Sequence, residues 1–149
     1  MGTSTITITA NMAAPARKVH AGLNVVAFKM GAVAAFGTAA DAIALCKIPN
    51  KAILTRIDGL ADNGATTMNY MLKLKYTEGN GSSTVVTVSP SITILTRMSL
   101  TAPVKVSISD DQAVQYATLL LVVTTGASAS VSTSVVGVVE YFFDEGVGF

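Results

Sequence analysis

Apolar and polar residues alternate with a period of two through much of the chain, the spacing that places every second side chain of a β-strand on one buried face. The clearest stretch is Met68–Tyr76. Met68, Tyr70, Leu72, Leu74 and Tyr76 share one side of it, and Asn69, Met71, Lys73 and Lys75 the other. Val104, Val106 and Ile108 interleave with Lys105, Ser107 and Ser109 in the same way. Ile6 and Ile8 alternate with Thr5, Thr7 and Thr9, which predicts a short first strand at a sheet edge or paired with a neighbouring subunit. Further strand-like runs lie at Val19–Met30, Ala42–Ile48, Ala52–Leu60, Thr84–Val88, Ala113–Thr124 and Val131–Phe143. Ile92–Met98 follows Pro90, which interrupts a ladder, so it reads as a new strand or a continuation past an edge bulge. Gly31–Ala40 is ambiguous: its alanines favour helix while Gly31 and Gly37 weaken it, and we read a loop with at most one helical turn.

Turn signals separate these runs. In Pro49-Asn50-Lys51 the proline fixes φ and the asparagine tolerates unusual backbone angles. Asp62-Asn63-Gly64 closes the next run, and Glu78-Gly79-Asn80-Gly81-Ser82 reads as a hairpin tip. About eight to ten short strands, with turns every ~8–12 residues, predict an all-β chain: an antiparallel β-sandwich, jelly-roll-like, with an extended N-terminal arm. Residues 1–18 are taken as the N-terminal strand and arm, and residues 19–149 as a single sandwich domain.

Charge sharpens this picture. No charged residue occurs from Gln112 to Val139, and in Leu119–Val123 both strand faces are apolar. Such a strand has to be covered on both sides by its own core or by another subunit, which predicts a homodimer or homotrimer. Charged residues make up 13% of the 149 positions and hydrophobic ones 50%, against roughly 25% charged in ordinary soluble domains. The formal net charge of +1 leaves no basic excess of the kind a nucleic-acid partner demands. No apolar run approaches the ~20 residues of a spanning helix. Aromatic residues, at 6%, form no paired girdles of a membrane barrel. The N-terminus carries neither a basic n-region nor a long apolar h-region, so synthesis in a reducing cytoplasm is expected.

Candidate chemistry is sparse, and no enzyme is predicted. His20 is the only histidine, and no His/Cys cluster has zinc-site spacing. Cys46, the only cysteine, sits in an apolar run and reads as a small core residue. Gly126-Ala127-Ser128-Ala129-Ser130 lacks the final glycine of a nucleophile elbow. Gly79-Asn80-Gly81-Ser82-Ser83 lacks the lysine of a phosphate loop. Asp110-Asp111 and Asp144-Glu145 each offer oxygens to Ca²⁺ but lack EF-hand spacing, and read as turn or solvating residues. A carboxylate pair for glycoside hydrolysis is defined in space rather than in sequence, but there is no tryptophan to stack a sugar. Asn80-Gly81-Ser82 matches a glycosylation sequon without a secretion signal to use it. No catalytic, cofactor or metal residues are therefore assigned. Arg17, Lys18 and His20 form a basic knot on a small-residue segment, about Ala10–His20, suited to an arm that docks on an acidic partner surface.

The run Asp41-Ala42-Ile43-Ala44-Leu45-Cys46-Lys47-Ile48-Pro49-Asn50-Lys51-Ala52, with the strands that follow it to Tyr76, resembles small virion proteins of tailed bacteriophages. So does Val104-Lys105-Val106-Ser107-Ile108-Ser109-Asp110-Asp111-Gln112-Ala113-Val114-Gln115-Tyr116 leading to the hydrophobic terminal strands. The resemblance, over roughly Asp41 to Phe143, is to capsid decoration, or cement, proteins. It implies an oligomeric jelly-roll sandwich on the outside of a phage head, bound across subunits of the major capsid protein; the charge of the arm adds the expectation that Arg17, Lys18 and His20 lie at that interface. The alternative from another class is a tail or spike adhesin whose glycine-rich loops bind host glycans.

Overall fold

In the computed structural model the described residues are 7–9, 11–12, 24–33, 40–62, 68–77, 83–107, 116–126 and 133–143. They form eleven strands and no helix: β1 (Thr7–Thr9), β2 (Asn11–Met12), β3 (Asn24–Val33), β4 (Ala42–Pro49), β5 (Ala52–Asp62), β6 (Asn69–Thr77), β7 (Ser83–Thr87), β8 (Ile92–Thr93), β9 (Val104–Lys105), β10 (Tyr116–Thr125) and β11 (Thr133–Phe143). One sheet runs β1-β4-β10-β6-β7, with β8 also on β6; the other runs β2-β3-β11-β5-β9. All pairs are antiparallel except β1 on β4.

The period-two pattern settles which face is buried. On β10, Ala117, Leu119, Leu121 and Val123 point into the sandwich, while Thr118, Leu120 and Val122 lie half-buried on the outside. On β6 the inward set is Tyr70, Leu72 and Leu74, following Met68, as the alternation requires. The facing sheet supplies Val26, Phe28 and Met30 from β3, Leu54 and Ile57 from β5, and Val135, Val139 and Tyr141 from β11. The two inner faces thus share one apolar core, the arrangement that two packed antiparallel sheets require. A bulge in β4 opposite Leu119/Leu120 shifts its register, and Ile43, Leu45, Cys46 and Ile48 are all fully buried.

Residues 88–106 close one open side of the sandwich. Val88 and Ile94 donate their N–H groups to Leu72 and Met68 of the first sheet's side, at 2.9 and 3.0 Å. Leu95, Met98 and Val106 donate to Ala61, Gly59 and Ala52 of the second, at 3.0, 2.9 and 2.8 Å. The segment seals Ile92, Ile94, Met98 and Val106 into the core.

Three expectations change in detail. β3 continues through Gly31–Val33 into the stretch read as a loop with a helical turn, because β11 supplies ladder partners out to Val33. Ile92–Met98 keeps only two strand residues, since Leu95 turns the chain at φ 68° and Thr96 N–H donates to Thr93 O at 3.0 Å. In the Pro49–Ala52 turn it is Lys51, at φ 72°, rather than Asn50 that takes the left-handed conformation.

Candidate functional site

Arg17, Lys18 and His20 lie outside the described residues, as do the pairs Asp110/Asp111 and Asp144/Glu145. Of the segment Ala10–His20, the described part is β2, which pairs with Lys29 and Phe28 of β3. Cys46 is free and fully buried, and burial pushes its thiol up to about 12. It is held neutral in the core. Among the described residues no group of three or more His, Cys, Asp or Glu side chains could hold a metal ion.

Among the described residues two surface features stand out, and both are assembled by the tertiary fold. The first is the outer face of the β4-β10-β6-β7 sheet. Strand register places Lys47, Thr118, Lys75 and Val85 in one row, Ala44, Leu120, Lys73 and Thr87 in the next, and Ala42, Val122 and Met71 in a third. At a strand spacing of ~4.8 Å, Lys47 and Lys75 stand about 10 Å apart across β10. None of these three lysines makes an ion pair among the described residues, and the described part of this face carries no carboxylate. Leu120, Val122 and Met71 are half-buried, and Val85 is 52% exposed. The face is an apolar strip set between positive charges, most open toward β7.

The second feature is an open cleft of about 410 Å³ where the 97–103 segment passes the outside of β5. Asp58 sits at its floor between two guanidinium groups. Arg97 Nε donates to Asp58 Oδ1 at 3.1 Å and its Nη2 to Oδ2, while Arg56 Nη2 donates to Oδ2 at 3.2 Å. Arg56 also lies 3.6 Å from the Glu140 carboxylate. The hydrogen bond from Arg97, reinforced by the charges of Arg97 and Arg56, holds the Asp58 carboxyl below the usual carboxylate range. The same contacts raise Arg97. Asp58 stays ionised and paired at neutral pH. The arrangement is a fixed cluster of two guanidinium groups around one carboxylate, with donors that can orient a polar group.

The shared face of Lys73 and Lys75 follows from the alternation of β6 alone. Lys47 joins them only because β10, far later in sequence, inserts between β4 and β6. Asp58 and Arg97 are joined because the segment after β8 folds back over β5, and no local spacing signals that.

These observations define a two-sheet, all-β sandwich with one basic-apolar face and one ion-paired cleft. Comparison of the chain with protein-family models, curated proteins and solved structures gave no match.

Proposed function

We propose that this chain is a virion structural protein that decorates and stabilises the outside of a phage capsid by binding across subunits of the major capsid protein. The observation that carries the reading is the outer face of the β4-β10-β6-β7 sheet. Its strip of Leu120, Val122, Met71 and Val85, bordered by Lys47, Lys73 and Lys75, suits a flat partner surface that is apolar at its centre and acidic at its rim.

The wiring supports the same reading. From β3 to β6 each strand crosses to the opposite sheet, β6-β7 is a hairpin, and β9, β10 and β11 cross again. This order is consistent with two interleaved Greek keys, the jelly roll that recurs in viral capsid and lectin domains, and so supports the reading. The resemblance carried by Asp41–Ala52 and Val104–Tyr116 points the same way. A cement acts by differential affinity: binding only the expanded lattice stabilises that lattice, and many copies multiply a modest contact. The cleft around Asp58, with Arg56 and Arg97 as donors, favours a second reading, a tail or spike adhesin holding a hydroxyl-rich host glycan.

The test adds purified protein to expanded heads that lack it and measures occupancy and the temperature of heat-induced rupture. Wild type should bind and raise the rupture temperature. Lys73→Glu with Lys75→Glu should weaken attachment, as should Arg17→Ala with Lys18→Ala, each more at low salt than at high salt because exposed charges are screened. Failure to bind, or binding without a change in rupture temperature, rejects the cement and moves the adhesin to first place.

A further inference from the structure

Among the described residues one sheet ends in β1 and in β7, with the two-residue β8 beside β7 on β6, and the other ends in β2 and β9; these edges are unequal. β1 has three residues, β2 and β9 two each, and these offer little backbone to a newcomer. β7 has five, Ser83-Thr84-Val85-Val86-Thr87, with no charge, proline or bulge among them. Short length, charge, proline and bulges are the devices that keep sheet edges from pairing, and β7 lacks them all. Its valines are open as well: Val85 is 52% exposed on the outer face, and Val86, on the core side, is still 39% exposed. Val86 pairs with the fully buried Leu74, so the sandwich stops short of covering its own edge strand.

Hydrogen-bond phase fixes which backbone groups are open. Val88 N–H donates to Leu72 O at 2.9 Å, so the bonded pairs of this antiparallel ladder are Leu72/Val88, Leu74/Val86 and Tyr76/Thr84. Ser83, Val85 and Thr87 therefore direct their N–H and C=O groups away from β6. Beyond Val88 the edge is already taken, because Val88 O accepts from Thr101 N–H at 3.0 Å. The open stretch has Val85 at its middle.

We infer that β7 pairs antiparallel with β7 of a second copy about a twofold axis at Val85, joining two sandwiches through one continuous sheet. That register sets Val85 against Val85 and Ser83 against Thr87, and the outward groups exchange about six backbone hydrogen bonds. Thr84 stands opposite Val86, so the partly open valines gain β-branched neighbours on both faces. Charge permits it: the two Lys75 side chains, each one strand back, lie about 14 Å apart across the axis, beyond the screening length at physiological salt. A second copy is the occupant that this edge fits, because the same uncharged five-residue strand supplies both halves of an isologous contact. The inference stands apart from capsid binding, since it concerns the free protein.

Sedimentation of the full chain from about 1 μM to 1 mM reads the association directly, and a monomer–dimer equilibrium is expected. Val85→Pro is the selective variant. The Val85 N–H makes no bond to β6, and an edge position whose N–H faces solvent tolerates proline, so the fold should persist by circular dichroism. The dimer dissociation constant should rise at least about tenfold. Val85→Cys tests the register, because a bonded pair places Cα atoms ~5.5 Å apart, within disulfide reach. Val85→Cys should form an oxidised dimer, and Thr84→Cys, which faces Val86 of the other copy, should not. Cys46 is buried and does not compete. A wild type that stays monomeric throughout, a Val85→Pro dimer as tight as wild type, or equal cross-linking of the two cysteine variants overturns the inference. Loss of head binding with the dimer intact would reject the cement reading alone.

Discussion

Gly137 of β11 and Gly59 of β5 face each other across the ladder, and each makes room for a neighbour. A Cβ on Gly137 would stand 2.5 Å from the Phe28 ring and 2.6 Å from Asp58 O; one on Gly59 would stand 2.7 Å from Val136 O and 3.0 Å from Met98 Sδ. Both sites press against backbone, which cannot yield as a flexible side-chain end can. Gly137→Ala should therefore destabilise the fold by about 1–3 kcal/mol, the range for overpacking, as a drop in the denaturation midpoint at unchanged slope. Cys46 gives a pH signature. Burial raises its thiol from 9.0 to about 12 and, as the largest cause, raises the Tyr141 hydroxyl from 10.0 to about 12. The folded state keeps both protonated where the unfolded chain releases them, so their contribution is intact below about pH 9 and is lost as pH rises toward 12. Denaturation midpoints should fall from pH 9 upward, and Cys46→Ala should flatten the early part of that fall. The Tyr141 hydroxyl, like that of Tyr70, is buried without a hydrogen-bond partner among the described residues.

Between elements, the decisive contacts are those of the 88–106 segment. Where β7 leaves β6, the Leu72 N–H donates to Ser89 Oγ at 2.7 Å, and the Ser89 hydroxyl donates to Pro90 O at 2.9 Å. Ser89 is buried, so its side chain stands in for a missing ladder bond at the point where the chain turns toward the other sheet. Ser89→Ala leaves the Leu72 N–H buried and unmatched, and should cost about 1–3 kcal/mol in equilibrium unfolding. Little of this was legible in the sequence. Pro90 marked an interruption, but the path of 88–106 depends on carbonyls of Met68, Ala61, Gly59 and Ala52, which belong to strands the pattern could place only as separate runs. Gly31–Val33 departs from the loop expected there for the related reason that a glycine and an alanine weaken local strand preference, while ladder partners on β11 override it.

At the scale of the whole molecule, successive strands from β3 to β6 sit in opposite sheets, and β4 finds its antiparallel neighbour only in β10. Most of the ladders close a long loop before they gain a contact. Folding should be slow for a chain of this size, in the range of milliseconds to seconds typical of non-local β-topologies, and stopped-flow refolding from denaturant measures it. Alternation in β6 and β10 by itself determined that the chain is all-β and which side of those strands is apolar, because side-chain direction is a local property of an extended backbone. Cys46 was likewise legible as a core residue from its apolar neighbours. Strand order was not, and with it went the surface. Lys47 meets Lys73 and Lys75 only through β10, Arg97 meets Asp58 only through the returning segment, and β7 is an edge because, among the described residues, β6 alone pairs with it. Those neighbours lie tens of residues apart, and it is burial of the shared core that selects one pairing of strands from the many that the same alternating pattern allows.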